Sequence, residues 1–171
     1  MTRIATRQTL TAVALRTVLG TFEATFSDEG VRELRFPNQS RGDARCADAR
    51  ARHLADELDA YLRGDLMAFS TPVDLQGTPF QLSVWSALRE IPYGEVRSYA
   101  EIAEAIGRPS AVRAVGAANG ANPVPVIVPC HRVIGSNGKL VGFGAGVDWK
   151  LRLLGIENAE PAGLFSRAQL A

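Results

Sequence analysis

The residue types best suited to chemistry are Cys130 and His131, adjacent in Pro129-Cys130-His131-Arg132-Val133. A thiolate is a strong nucleophile, and an imidazole beside it is a common means of drawing off the thiol proton. The apolar run Val124 to Val128 leads into them. Successive side chains on an extended strand point to opposite faces. Contact between sulfur and imidazole therefore needs a bend, or a water between them. By itself the pair also fits an inert buried thiol beside a structural histidine. Cys46, in a polar Ala/Arg-rich stretch, reads as incidental, and His53 as a surface residue on a helix. Two cysteines cannot build a disulfide framework, and they lack the CxxC spacing of a zinc site.

The 171 residues are 46% hydrophobic and 22% charged, a globular composition with material for one good core or two small ones. No apolar run approaches membrane-spanning length. Thr2 to Arg7 lacks the apolar stretch of a signal peptide, so a cytoplasmic location is expected. The net charge is +1. Residues 1–75 carry 10 basic and 11 acidic side chains, and 76–157 carry 8 and 6. No basic stripe emerges, so charge alone does not argue for nucleic acid.

The reactive residues need a scaffold, and the pattern supplies one in two units. In 1–75, Thr17 to Phe26 is rich in β-branched and aromatic residues and reads as one strand. Ser27 to Gly30 is a turn cluster, and Val31 to Phe36 a second strand. Pro37 to Gly42 breaks structure. Ala44 to Arg63 carries Leu54, Leu58, Tyr61 and Leu62 at helical spacing, closed by Gly64. Thr71 to Leu75 is a short extended piece. In 76–157, Thr78-Pro79-Phe80-Gln81 is a capping box, opening a helix with Phe80, Val84, Trp85 and Leu88 on one side. Ser98-Tyr99-Ala100-Glu101 is a second, opening a short helix with Ile102, Ala103 and Ile106 inward and Gly107 at its end. A third helix is expected from Pro109 or Ser110 to about Asn119. Two short helices about a glycine turn suggest a helix-turn-helix, and Gly135-Ser136-Asn137-Gly138 a hairpin turn forming a wing. Trp149 to Leu154 reads as a last helix, and 158–171 as a poorly ordered tail. The fold class is α+β: a short sheet plus helix, then a winged helix-turn-helix-like domain.

The third helix has no large side chain except Arg113. Tight core packing is the commoner cause, and composition favours it. The alternative is a helix pared down to lie against DNA, leaving Arg113 to reach the base stack or phosphates.

Arg113-Ala114-Val115-Gly116, then Asn122-Pro123, then Pro129 to Val133 resemble the active-site block of the O6-alkylguanine-DNA alkyltransferases. The resemblance runs from about Thr78 through Leu153-Leu154-Gly155-Ile156-Glu157 and includes Ile91 to Tyr99. The N-terminal half matches only in length and coarse pattern, and the zinc-bearing domain of some relatives is not expected. The resemblance implies direct DNA repair: irreversible, single-turnover transfer of a methyl or other alkyl group from O6-alkylguanine to Cys130, with O4-alkylthymine a further candidate substrate. It implies that His131 acts as a base through a water, that Glu157 orients the imidazole, and that Asn122 braces the link between the third helix and the cysteine loop. Arg113 would fill the space of the flipped nucleotide, and Tyr99 would press its 3′ phosphate. Ser98, Ala111 and Gly116 would share that minor-groove face. Phe143, Gly144, Val133 and Pro125 would form the base pocket. Phe143 stands where most of the family has tyrosine, so a hydroxyl donor to the leaving guanine would be missing. The implied partner is duplex DNA, bound by a monomer, with no cofactor and no metal. Two other classes compete. A non-enzymatic binder of alkylated DNA would replace the acceptor cysteine, which is present. A cysteine hydrolase would need an oxyanion site, for which there is no separate motif.

Overall fold

The computed structural model describes residues 9–42 and 49–159. The first elements are three antiparallel strands in the order β1 (Thr11–Thr17), β2 (Gly20–Phe26) and β3 (Val31–Arg35). Val13 and Leu15 of β1 and Phe22, Ala24 and Phe26 of β2 are all buried, as one face of a pleat requires. The expectation of one strand from Thr17 to Phe26 is thus corrected: the segment contains a hairpin turn, and β1 precedes it. The turn is apolar, which hides it. Leu19 packs on the core, and the Val18 N–H donates to Asp59 Oδ1 at 2.7 Å. Gly20 is the local signal. Its φ is +117°, and a Cβ there would lie 3.0 Å from the Pro37 ring, so a side chain is disfavoured twice over.

Helix α1 (Ala49–Leu62) buries Leu54, Leu58, Tyr61 and Leu62, the residues at helical spacing. The rest of its expected start, with Cys46, lies outside the described residues. Pro37–Gln39 forms a 3-10 turn, where only a break was expected. The outer edge of β3 is occupied. Val31 bridges Val73 in parallel, and the Leu34 N–H donates to the Pro123 carbonyl at 2.9 Å. The second bond ties the sheet to the C-terminal half.

The remaining elements are α2 (Pro79–Arg89), β4 (Arg97–Ser98), α3 (Tyr99–Ala105), α4 (Val112–Gly120), β5 (Val133–Ile134) and α5 (Val147–Ile156). Both capping boxes form: Thr78 Oγ1 accepts from the Gln81 N–H at 3.2 Å, and Ser98 Oγ from the Glu101 N–H at 3.1 Å. Each cap contributes about 1 kcal/mol. Trp85 Nε1 donates to the Ala118 carbonyl at 2.8 Å, locking α2 to α4. Helices α3 and α4 meet about Gly107, at φ +70°. The expected turn at Gly135 to Gly138 forms. Gly135 and Lys139 close it, while among the described residues no strand returns along β5, which pairs in parallel with β4. Beyond the turn, the Val141 carbonyl accepts from Lys150 Nζ at 3.2 Å.

Buried side chains from both halves form one continuous core, from Val13 to Leu153. Of the tail, Asn158 and Ala159 are described. Ala159 is buried, its N–H bonded to the Leu154 carbonyl at 3.0 Å, so order extends past the expected boundary. The expectation for 160–171 lies outside the described residues. Among the described residues, no helix is long and apolar enough to cross a membrane.

Candidate active site

Cys130 opens a 3-10 turn, Cys130–Arg132, so the backbone bends where an extended strand would have parted sulfur and imidazole. The loop leading in is tied at both ends. Asn122 Nδ2 donates to the Val128 carbonyl at 2.8 Å, and its Oδ1 accepts from the Val124 N–H at 3.0 Å. Asn119 Nδ2 donates to the Cys130 carbonyl at 3.4 Å. Between them, Val126 is held at φ +74°, costly for a β-branched residue and typical of strained functional loops.

The thiol faces a cavity of about 300 Å³, at the lower end of ligand-pocket sizes. Asn119, Asn122, Pro125, Phe143 and Gly144 line it with Cys130. The opposite wall comes from the N-terminal half, including Phe36 and Gln39. Phe36 meets Phe143 edge-on at 5.6 Å. Asn38 Nδ2 and Gln39 Nε2 donate to the Ala145 and Gly144 carbonyls, each at 2.9 Å, and hold the glycine-rich loop. The sequence carried no signal that this half shapes the cavity. Val133, expected in the pocket, is not among the lining residues. It is fully buried in β5, and its carbonyl accepts from Lys150 Nζ at 2.6 Å.

Behind the cysteine, His131 Nε2 lies 2.7 Å from Glu157 Oε1. Both side chains are fully buried. Arg132 grips the same carboxylate, Nε to Oε2 at 2.9 Å and Nη2 to Oε1 at 2.9 Å, and its Nη1 donates to the Ile91 carbonyl at 2.6 Å. Tyr61, from α1, donates to Oε1 at 2.5 Å. Burial alone would raise the Glu157 pKa, but hydrogen bonds from His131 and Arg132 outweigh it and hold the carboxyl down at about 2. Burial depresses His131, against the pull of Glu157. A neutral imidazole beside an ionised carboxylate follows.

Cys130 is a thiol at rest. Burial pushes it up to about 11, although the Asn122 amide, the Lys150 charge and the backbone N–H groups of Cys130 and His131 all favour the anion. Lys150 was invisible as a site residue, since a lysine on an amphipathic helix reads as a solvated charge. It is fully buried on two carbonyls. Burial lowers it to about 8, and Cys130 pulls the other way.

Helix α4 corrects the core-packing preference for its small residues. Val115, Ala118 and Asn119 are buried, while Arg113, Ala114, Ala117 and Gly120 are exposed. The outer face is thus a shaven surface with one long side chain. Arg113 has no hydrogen-bond or ion-pair partner among the described residues. Ala111 and Gly116 are half-buried. A Cβ on Gly116 would lie 3.9 Å from the Tyr99 ring, an ordinary contact. Tyr99 is half-buried, with the Asn119 amide at its hydroxyl. Ser98 is committed to capping α3.

Residues 79–159 match the family model described as 6-O-methylguanine DNA methyltransferase, DNA binding domain. The methylated-DNA–protein-cysteine methyltransferase of Mycobacterium tuberculosis is 57% identical over 110 residues, 64% of this chain and 67% of that protein. That of Methanosarcina acetivorans is 55% identical over 108 residues, 63% and 69% of the two chains. The crystal structure of Mycobacterium tuberculosis OGT in complex with DNA superposes with a TM-score of 0.78 at 43% identity, covering 86% of this chain and 93% of that one. The chain belongs to the methylated-DNA–protein-cysteine methyltransferase family.

Proposed function

We propose that this protein repairs DNA by taking the alkyl group of an O6-alkylguanine onto Cys130, once per molecule. The observation that carries the reading is a shared opening. Asn119 and Gly120, the last residues of α4, line the same cavity as the thiol, so a shaven helix stands at the mouth of a pocket with room for one base. The C-terminal unit, 76–157, supplies acceptor and DNA face, while the N-terminal unit, 1–75, closes the pocket. Helix α4 enters the minor groove, where Arg113 takes the place of the extruded guanine and Tyr99 helps turn the nucleotide out. An alkylated guanine pairs poorly and costs less to extrude than an intact pair.

The thiol proton passes through a water to His131 Nδ1, and Glu157 stabilises the imidazolium. The sulfur attacks the alkyl carbon. The S–C bond forms as the C–O6 bond breaks, the electron pair leaves with guanine, and guanine takes up a proton. Backbone N–H groups, Asn122 and Lys150 stabilise the sulfur anion at the moment it forms. The product thioether is a poor leaving group, so the acceptor is spent. The protein acts as a monomer in the cytoplasm and needs no cofactor.

Titration with excess O6-methylguanine duplex tests this. The expected result is one methyl group per protein with no further reaction. Repeated turnover would indicate a hydrolase, and binding without transfer a damage sensor.

A further inference from the structure

We propose that Tyr61, from the N-terminal half, is a positioning residue for the transfer: its hydroxyl orients Glu157 and His131 so that the imidazole keeps Nδ1 free to take the thiol proton. The inference deepens the reading above and rests on its His131–Glu157 relay.

The donor count sets the tautomer. Glu157 is ionised and can only accept, so His131 Nε2, 2.7 Å from Oε1, must carry its proton. Tyr61 has one proton and gives it to Oε1 at 2.5 Å. Its oxygen then faces His131 Nε2 at 3.2 Å as an acceptor, again requiring Nε2–H. Both contacts leave the lone pair on Nδ1. That atom is buried and has no hydrogen-bond partner among the described residues. A buried imidazole nitrogen without a partner is costly, and a proton relay is a use for it.

Tyr61 is held well enough to do this. It is fully buried, and its ring packs against Phe69 at 5.3 Å and edge-on to Tyr93 at 6.1 Å. Packing alone would be served by phenylalanine, since a buried hydroxyl is unfavourable unless bonded. Burial, then the Glu157 charge, drive its pKa far up, so it stays a donor. It also shares Oε1 with His131 and Arg132. Because that oxygen is shared, its pull on an imidazolium, and so the proton affinity of His131, depends on Tyr61.

The test is Tyr61→Phe in single-turnover reactions with free O6-alkylguanine base and with alkylated duplex. Both rates are expected to fall by the same factor, roughly ten- to a hundredfold, with DNA affinity unchanged. The acid limb of the rate profile should move to higher pH, because Glu157, relieved of one donor, holds the imidazolium more tightly. The other charged or titratable groups facing this site, Tyr93 of the turn after α2, Lys150 of α5, and Cys130 and Arg132 of the 3-10 turn, are the same in both proteins. A residue that merely packs would lower the melting temperature and leave the profile in place, and that outcome overturns the proposal. So does a histidine 15N spectrum of the wild-type protein showing His131 protonated on Nδ1. Glu157→Gln, run in parallel, separates the failures. A slow Glu157→Gln with a normal Tyr61→Phe overturns this inference alone. A normal Glu157→Gln, or a wild-type protein that takes up no alkyl group, overturns the relay and the inference with it.

Discussion

His131 makes a difference that pH can read. A resting thiol near 11 and a neutral imidazole exchange one proton internally, so the reacting pair has the same net protonation across the middle of the range. The single-turnover rate on free base should be level from the point where His131 loses its proton, below 6.5, until Lys150 loses its charge, half of it gone at about 8. Below that plateau Nδ1 is occupied and the rate falls. In His131→Gln the proton must go to solvent, and the rate should start lower and climb about tenfold per pH unit. A level His131→Gln profile would mean that another group takes the proton. Phe143 is the second residue to probe. Guanine gains negative charge as its bond breaks, and a hydrogen bond to a charged group is worth about 1.5–3 kcal/mol. Phe143→Tyr, in a ring already seated against Phe36, should speed transfer about tenfold with little change in DNA affinity. An unchanged or slower rate would show that no donor is missing.

The helix-turn-helix makes its own prediction. Arg113 is the one long side chain on the outer face of α4, so Arg113→Ala should slow repair of duplex roughly ten- to a hundredfold while leaving reaction with free base within about twofold. Equal losses on both substrates would assign Arg113 to the fold or the pocket. These helices were legible because their signals are local: both capping boxes and the Gly107 stop lie within a few residues of what they control. Strand β1 was not, since its turn is made of Val18 and Leu19, and alternating Ala12 and Ala14 weaken its β pattern. The small residues of α4 could not declare their face, because composition does not record exposure. The motif gave Cys130, His131 and Glu157. Tyr61 reads only as core in the sequence, since its bond to His131 spans 70 residues.

Across the whole molecule, the two halves share the site. Leu34 hydrogen bonds to Pro123, Asn38 and Gln39 hold the loop of Phe143, and Tyr61 reaches Glu157. One continuous core joins these contacts, so a buried thiol can be held toward its target atom in a fixed direction. The decisive fact is where the alkyl group ends. The direct measurement is intact-protein mass followed by peptide mapping after reaction with O6-methylguanine duplex. The wild-type chain should gain the mass of one methyl group, located on Cys130, and Cys130→Ser should gain none while still binding the DNA. A methyl group mapped to Cys46, or the same gain in Cys130→Ser, would contradict it.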